Sequence, residues 1–322
     1  MSFAVRTTLS SLLTLHVANV ACAQTYPIKP VRMVIAFAPG GGTDIVGRII
    51  GQKLSELWPH PVVIDNRPGA GSTIGTDVVA KSPADGYTIQ TVSMSHALNA
   101  ALFKKLPYDT INDFAHIILA ARAPNVLVAN PSLPVKNVKE LIALAKSRPG
   151  QIAFSSSGTG GVSHLTAELF RSVAGIDLLH VPYKGAGPAM TALLSGEAQL
   201  MMATAPVALT QMKAKRVRAL AISSRKRSAL APDMPTIVES GFPGFEADTW
   251  YGVLAPARTP EAIVTKINAD INQLLKSRDL QTLFAEQGAE PAGGTPQAFR
   301  AFAESEVKRW TQVIKAAGIE AN

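Results

Sequence analysis

Short apolar runs alternate with longer segments in which apolar residues recur every three or four positions. The short runs are rich in β-branched residues and predict strands. They occupy residues 31–37, 61–65, 87–92, 125–129, 151–155, 178–181, 198–203 and 217–223. Several are continuously apolar, as expected of strands covered by helices on both faces, so the pattern predicts an α/β fold with mainly parallel sheets.

The segments between the runs predict amphipathic helices. Residues 43–57 place Ile45, Val46, Ile49, Ile50 and Leu54 on one stripe, which is the spacing of a helix that packs on a sheet. The same periodicity predicts helices over residues 261–275 and from about 296 to 317.

The chain is long enough for two domains. Its 322 residues exceed the roughly 250 to 300 at which a single core stops growing. No low-complexity linker divides it, so we expect the chain to cross between two lobes on strands. The crossings are predicted near Arg122 and Asp248. Lobe 1 would then comprise residues 24–122 and 248–322, and lobe 2 residues 123–247.

Residues 1–23 have the pattern of a signal peptide. Arg6 precedes a mostly apolar stretch that is too short and too interrupted to span a membrane, and Ala21-Cys22-Ala23 offers a cleavage site. We therefore expect export with cleavage near Ala23. A lipid anchor at Cys22 is the alternative, but Asn19-Val20-Ala21 fits such a site poorly. Because Cys22 is the only cysteine, the mature chain would contain no disulfide and no thiolate metal site.

Composition and charge narrow the class of partner. The chain is 47% hydrophobic and 17% charged, which is typical of a folded protein. A net charge of +8 suits a nucleic acid or an anionic membrane as partner. The basic residues cluster only at 213–218 and 225–227, however, and no aromatic residues lie among them. We therefore expect no nucleic-acid partner, while the positive field favours anionic solutes.

The loop Pro39-Gly40-Gly41-Gly42-Thr43-Asp44 follows a predicted strand and opens a predicted helix. At this position unpaired backbone N–H groups and the helix dipole favour an anion, and glycines let it approach the backbone. A phosphate-binding P-loop is excluded because Arg48-Ile49 stands where Lys and Ser or Thr are required. The loop predicts a carboxylate site. A tight turn capped by Thr43 or Asp44 is the structural alternative.

Two further segments combine a strand end with small polar residues. Ser157-Gly158-Thr159-Gly160, followed by His164, resembles the first loop and precedes a helical stripe. Ser93-Met94-Ser95-His96-Ala97 ends the strand 87–92, where ligands gather in open α/β sheets. Both segments are candidate ligand sites. The alternatives are a solvated hydroxyl-rich loop at 157–160 and purely structural roles for His96 and His164.

Motifs of enzymes and cofactor sites are mostly missing from the sequence. It contains neither a G-x-S-x-G elbow nor an H-E-x-x-H pair, so we expect no metal and no enzyme activity. The run from Gly69 to Gly75 is similar to a dinucleotide fingerprint but follows Asn66-Arg67-Pro68 instead of a strand, so no cofactor is expected. A hydrolase that uses Ser95 or Ser157 with a histidine stays open as an alternative.

Seven motifs in this order resemble the tripartite tricarboxylate transporter receptor family, also called the Bug family. They are FAPGGGTD at 37–44, NRPGAG at 66–71, DGYT at 85–88, LPYD at 106–109, VPYKG at 181–185, PTIVESG at 235–241 and WYGVLAP at 250–256. The resemblance implies a type II periplasmic binding protein fold, in which two α/β lobes joined by crossing hinge strands close like a flytrap. It also implies a monomeric receptor in the periplasm.

The resemblance further implies what the receptor binds and where. Its ligand would be a small carboxylate, such as a di- or tricarboxylate, an aromatic acid or an amino acid, with ordered waters at the contact. The matching positions are Gly40 to Asp44, Ser93 to Ala97, Ser157 to Gly160, His164 and Thr204. The partner would be the membrane permease of a tripartite tricarboxylate transporter. A membrane sensor kinase is the alternative that the sequence leaves open.

Overall fold

The computed structural model describes residues 26–227 and 232–320, so the predicted signal peptide at 1–23 lies outside the described residues. The strands are β1 Val31–Ile35, β2 Val62–Asn66, β3 Thr88–Ser93, β4 Phe114–Ala123, β5 Asn125–Ala129, β6 Ala153–Ser156, β7 Leu179–Pro182, β8 Leu200–Thr204, β9 Arg218–Ile222, β10 Thr249–Pro256 and β11 Glu290–Pro291. All eight runs that predicted strands therefore overlap observed strands.

Ten helices connect these strands: α1 Gly42–Leu57, α2 Thr73–Ala80, α3 Ser95–Leu102, α4 Val138–Ser147, α5 Val162–Ala174, α6 Ala186–Ser195, α7 Ala205–Lys213, α8 Glu261–Lys276, α9 Arg278–Glu286 and α10 Pro296–Ala316. A short 3₁₀ turn at Ala70–Ser72 precedes α2. Helix α1 forms because its stripe of Val46, Ile50 and Leu54 is fully buried, and α8 buries Ile267 and Ile271 in the same core. Within the described residues no helix is long and apolar enough to span a bilayer.

The strands form two sheets that share one pattern of strand order once the short β11 is set aside. The first sheet is β11-β4-β10-β3-β1-β2, and the second is β7-β6-β8-β5-β9. Apart from the short β11, each sheet contains four of its own strands and one that arrives from the other sheet. β10 lies between β3 and β4, and β5 lies between β8 and β9.

Both sheets are mixed, although the apolar runs predicted mainly parallel ones. Four strand pairs are parallel and five are antiparallel. The reason is that each inserted strand runs against both of its neighbours. Continuous apolar sequence indicates burial on both faces, but it carries no information about strand direction.

The chain passes between the sheets at two places. β4 ends at Ala123 and β5 begins at Asn125, so only Pro124 separates the two sheets at the first crossing. The return lies between β9 of the second sheet and β10, which begins at Thr249. The division into lobes at residues 122–123 and 247–248 stays a prediction.

A buried polar network joins the two crossings directly. The hydroxyl of Ser223 donates to Asp248 Oδ1 at 2.7 Å and accepts from the backbone N–H of Asn125 at 2.8 Å. The side-chain amide of Asn125 donates to the carbonyl of Ala247. Burial raises the pKa of Asp248 to about 6, and the hydrogen bond from Ser223 opposes this rise. The two connections are therefore bonded to each other at the edge of the cleft.

Candidate functional site

A cavity lies between the two sheets where five helices begin. Its lining comes from the first residues of α1, α3, α5 and α6, from the N-cap of α7 and from neighbouring strands. The lining residues are Phe37, Gly41, Gly42, Thr43, Ser93, Ser95, Ser157, Val162, Ser163, Ala186, Thr204 and Tyr251. The first N–H groups of a helix have no partner inside it, and the helix dipole is positive there. The cavity is therefore electropositive although the described lining contains no charged side chain.

Asp44 shapes the first glycine loop and does not itself line the cavity. Its carboxylate accepts hydrogen bonds from the N–H of Gly40 at 3.0 Å, from Arg48 Nε at 2.9 Å and from Asn66 Nδ2 at 2.9 Å. Gly40 has a φ of 84°, which favours glycine. The loop thus folds back onto the buried carboxylate and turns residues 41–43 towards the cavity.

The second glycine loop lies opposite on the other sheet. Ser157 and Ser163 both line the cavity and bond to each other: Ser163 Oγ accepts from the Ser157 N–H at 2.7 Å and donates to Ser157 Oγ at 2.9 Å. Gly158 and Gly160 have φ values of 110° and 82°, so the turn requires glycine at both positions. Gly158 and Thr159 line an adjacent cavity, which shares Phe37 and Ser157 with the first.

Neither predicted histidine lines the cavity. His96 is 3% exposed and donates from Nε2 to the carbonyl of Thr110 at 2.8 Å, and burial lowers its pKa to about 4. His164 accepts from the N–H of Gly160 at 3.3 Å and stacks on His180 at 4.2 Å. Burial and then the neighbouring His180 lower the pKa of His164 to about 3. Both rings are neutral at neutral pH; His164 holds the second glycine loop, whereas His96 is bonded to Thr110.

The structure gathers about half of the predicted site residues. It places Gly41, Gly42, Thr43, Ser93, Ser95, Ser157 and Thr204 around the cavity, and it places Gly40, Asp44, His96, Ala97, Gly158, Thr159, Gly160 and His164 outside this lining. The sequence prediction missed Phe37, Val162, Ser163, Ala186 and Tyr251. A signal for Ala186 existed, because VPYKG at 181–185 is a third strand–glycine–helix junction. No such sequence signal existed for Tyr251, because an aromatic residue in an apolar strand is typical of a core.

The cavity is small. It leaves about 20 Å³ for the centre of a water molecule. Roughly 10 to 15 Å³ of this measure holds one water, so the cavity as described holds only a very small group. A ligand of several atoms therefore needs more room than this arrangement of the two sheets leaves.

Backbone atoms of the two sheets meet around the cavity. The N–H of Ala38 donates to the carbonyl of Lys184 at 3.1 Å across the cleft. Glycine permits a second contact, because a Cβ on Gly71 would overlap the carbonyl oxygen of Thr159. The described structure is thus a closed state, in which the contact between the two sides leaves no space for a side chain at residue 71.

The residues described by the structure do not assemble a catalytic or metal site of a familiar kind. They contain no cluster of three or more His, Cys, Asp and Glu side chains placed to hold a metal ion. The serine–histidine contact joins Ser156 Oγ to His180 Nε2 at 2.6 Å, and Ser156 is 0% exposed. In the described part of the chain, Ser95 and Ser157 bond to Ser93 and Ser163. The hydrolase alternative therefore lacks the nucleophile–base contact that its chemistry needs.

Comparison with known proteins gives consistent matches over most of the chain. The model of a family described as tripartite tricarboxylate transporter family receptor matches residues 46–319. Protein BugT of Bordetella pertussis is 39% identical over 307 residues, which cover 95% of this chain and 94% of that protein.

Two solved structures extend the match to the fold. One is an R. palustris protein with adipate, with a TM-score of 0.89, 38% identity and coverage of 92% of this chain and 99% of that one. The other is MatC from Rhodopseudomonas palustris with bound malate, with a TM-score of 0.87, 32% identity and coverage of 90% and 100%. The predicted fold of two α/β lobes is confirmed by these structures.

Proposed function

Because this chain belongs to the tripartite tricarboxylate transporter receptor family, we propose that it is a periplasmic receptor that captures a small dicarboxylate between its two lobes. The observation that carries the proposal is the convergence of five helix N-termini on one hydroxyl-lined cavity. Solved relatives hold adipate and malate, and both of these ligands are dicarboxylates. We infer the same ligand class for this chain.

The cavity suits a carboxylate on chemical grounds. A carboxylate only accepts hydrogen bonds, and the lining offers hydroxyl groups and helix N–H groups as donors. No lysine or arginine lies in the described lining, so the charge is balanced by dipoles and waters rather than by an ion pair. Such a site binds one carboxylate group without fixing the rest of the molecule.

Binding is proposed to drive closure. The two glycine loops belong to different sheets, so a ligand bonded to both has its full affinity only in the closed state. A ligand moves an open–closed equilibrium only by such differential affinity. The closed receptor, exported as a monomer by the predicted signal peptide, would then dock on the permease of a tripartite tricarboxylate transporter. The family is one of transporter receptors, and for this reason the permease is proposed in preference to a sensor kinase.

Adipate or malate is expected to raise the melting temperature of the purified protein by about 5 °C at 100 times the dissociation constant, which corresponds to about 2.7 kcal/mol. The uncharged diamide of adipic acid serves as the control and is expected to leave the melting temperature unchanged. Differential scanning fluorimetry measures both. Stabilisation by the diamide and not by the acids would contradict a carboxylate receptor.

Gly42→Ala is expected to weaken dicarboxylate binding about tenfold while the protein still folds. Gly42 is the first residue of α1, where alanine is favoured, but its Cβ would overlap the hydroxyl groups of Tyr251 and Thr204 in the cavity. Gly51→Ala in the same helix is the matched control, since its Cβ would lie 3.1 Å from the end of the Ile64 side chain, away from the cavity. Calorimetric titration with adipate compares the two. Equal affinities of both variants would contradict the assigned cavity.

A further inference from the structure

The hydroxyl groups of the cavity are not equivalent. The four serines form two pairs, one on each sheet: Ser93 Oγ donates to Ser95 Oγ at 3.3 Å, and Ser163 Oγ donates to Ser157 Oγ at 2.9 Å. The hydroxyl groups of Tyr251 and Thr204 are buried and adjacent to each other, and no other group of the described structure bonds to either of them. Tyr251 is 0% exposed and Thr204 is 7% exposed. An unpaired buried hydroxyl destabilises a folded protein, so these two groups require a partner that protein atoms do not supply.

The hydroxyl groups of Tyr251 and Thr204 both lie against Gly42. Tyr251 lies on β10 of the first sheet, and Thr204 ends β8 of the second sheet and caps α7. A Cβ placed on Gly42 would overlap both hydroxyl groups, so they converge on the first turn of α1. This is the point at which both sheets and a helix N-terminus surround the same space.

The Tyr251 hydroxyl acts as a hydrogen-bond donor. Burial raises the pKa of Tyr251 far above its ordinary value, and the adjacent Thr204 hydroxyl offsets only part of this rise. The phenol therefore keeps its proton at any physiological pH. Its neighbours across the cavity are helix N–H groups, which are also donors. A ligand atom that faces all of them has to be an acceptor.

We propose that Tyr251, with Thr204, donates hydrogen bonds to one carboxylate oxygen of the ligand and makes the receptor select a carboxylate over its neutral amide. This inference rests on the proposed function. An amide could offer its carbonyl oxygen to the pair, but its N–H₂ would then face the helix N–H groups, and sites built from buried polar groups reject such analogues strongly. Because the pair spans both sheets, the shared oxygen bonds to both hydroxyl groups only in the closed state.

Tyr251→Phe tests the proposal, because it removes one oxygen and keeps the shape of the ring. The variant is expected to bind adipate at least tenfold more weakly by calorimetric titration. Its preference for adipate over the adipic diamide, which has no carboxylate, should fall by a similar factor. Without ligand its melting temperature should equal or exceed that of the parent protein, since an unpaired buried hydroxyl has been removed. Loss of affinity without loss of stability is a result that a purely structural tyrosine would not give.

Tyr108→Phe is the matched control. The Tyr108 hydroxyl is also buried without a partner, but Tyr108 lies outside the cavity, so its removal should leave adipate affinity within twofold of the parent. Thr204→Val is the second variant and should also weaken adipate binding. It keeps the proposal testable if Tyr251→Phe folds poorly. Parent-like affinity of both cavity variants overturns the proposal, whereas a parent protein that binds no dicarboxylate overturns the proposed function itself.

Discussion

Gly71→Ala is expected to keep the receptor open and to weaken dicarboxylate binding about 100-fold, equivalent to about 2.7 kcal/mol. The new Cβ would overlap the carbonyl oxygen of Thr159 on the opposite side of the cleft. Neither backbone moves away easily, because Asn99 Nδ2 holds the Gly71 carbonyl at 2.9 Å and His164 Nδ1 holds the N–H of Gly160, next to Thr159, at 3.3 Å. Since apparent affinity falls with the population of the competent state, a blocked closure is measured as lost binding.

Gly175→Ala is the matched control for this experiment. Gly71 has a φ of 60° and Gly175 a φ of 59°, so an alanine at either position carries the same left-handed penalty of about 1 to 2 kcal/mol. A Cβ on Gly175 meets nothing within 4 Å. Small-angle scattering with and without adipate should show compaction for Gly175→Ala and none for Gly71→Ala. Equal compaction and equal affinity of the two variants would mean that closure does not require the close contact between residue 71 and Thr159.

The secondary structure was predictable because it depends on local sequence. The strand predicted at 125–129 is observed at Asn125–Ala129, and the α1 stripe is buried as its periodicity requires. The direction of the strands was predicted wrongly, because pairing depends on where the chain returns. The apolar sequence of β5 is compatible with either strand direction. β5 runs antiparallel to β8 because the chain enters it from the crossing at Pro124.

The candidate site was predictable where its chemistry is contained in one loop. Glycines at the start of a helix indicate a candidate anion site within one short loop, and Gly41, Gly42 and Thr43 of that loop line the cavity. His96 and Asp44 carry ligand-binding chemistry as residue types, but tertiary partners already occupy them: Thr110 for His96, and Gly40, Arg48 and Asn66 for Asp44. Tyr251 belongs to the site only because β10 inserts between β3 and β4, which no short sequence window shows.

Acidification from pH 7 to pH 5 is expected to lower the free energy of unfolding by about 6 kcal/mol, after the opposing effect of Asp248 is subtracted. Burial is the first cause that lowers the pKa of four histidines, to about 4 for His96 and His180 and to about 3 for His116 and His164. In the unfolded chain histidine titrates near 6.5, so between pH 6.5 and these folded-state values the unfolded state binds more protons. Their stabilisation is thus present above about pH 6.5 and lost as the pH falls. Each histidine contributes about 2 kcal/mol over this interval.

On acidification Asp248 changes the free energy of unfolding in the opposite direction to the histidines, and variants at these positions separate the two effects. Burial raises the pKa of Asp248 to about 6, so the folded state takes up a proton before the unfolded state does and gains about 1.4 kcal/mol between pH 7 and pH 5. His116→Gln should therefore flatten the dependence of urea unfolding on pH by about 2 kcal/mol. Asp248→Asn should steepen it by about 1.4 kcal/mol. Parallel curves for both variants and the parent would mean that other groups govern acid unfolding, whereas opposite changes of slope tie it to the buried imidazoles.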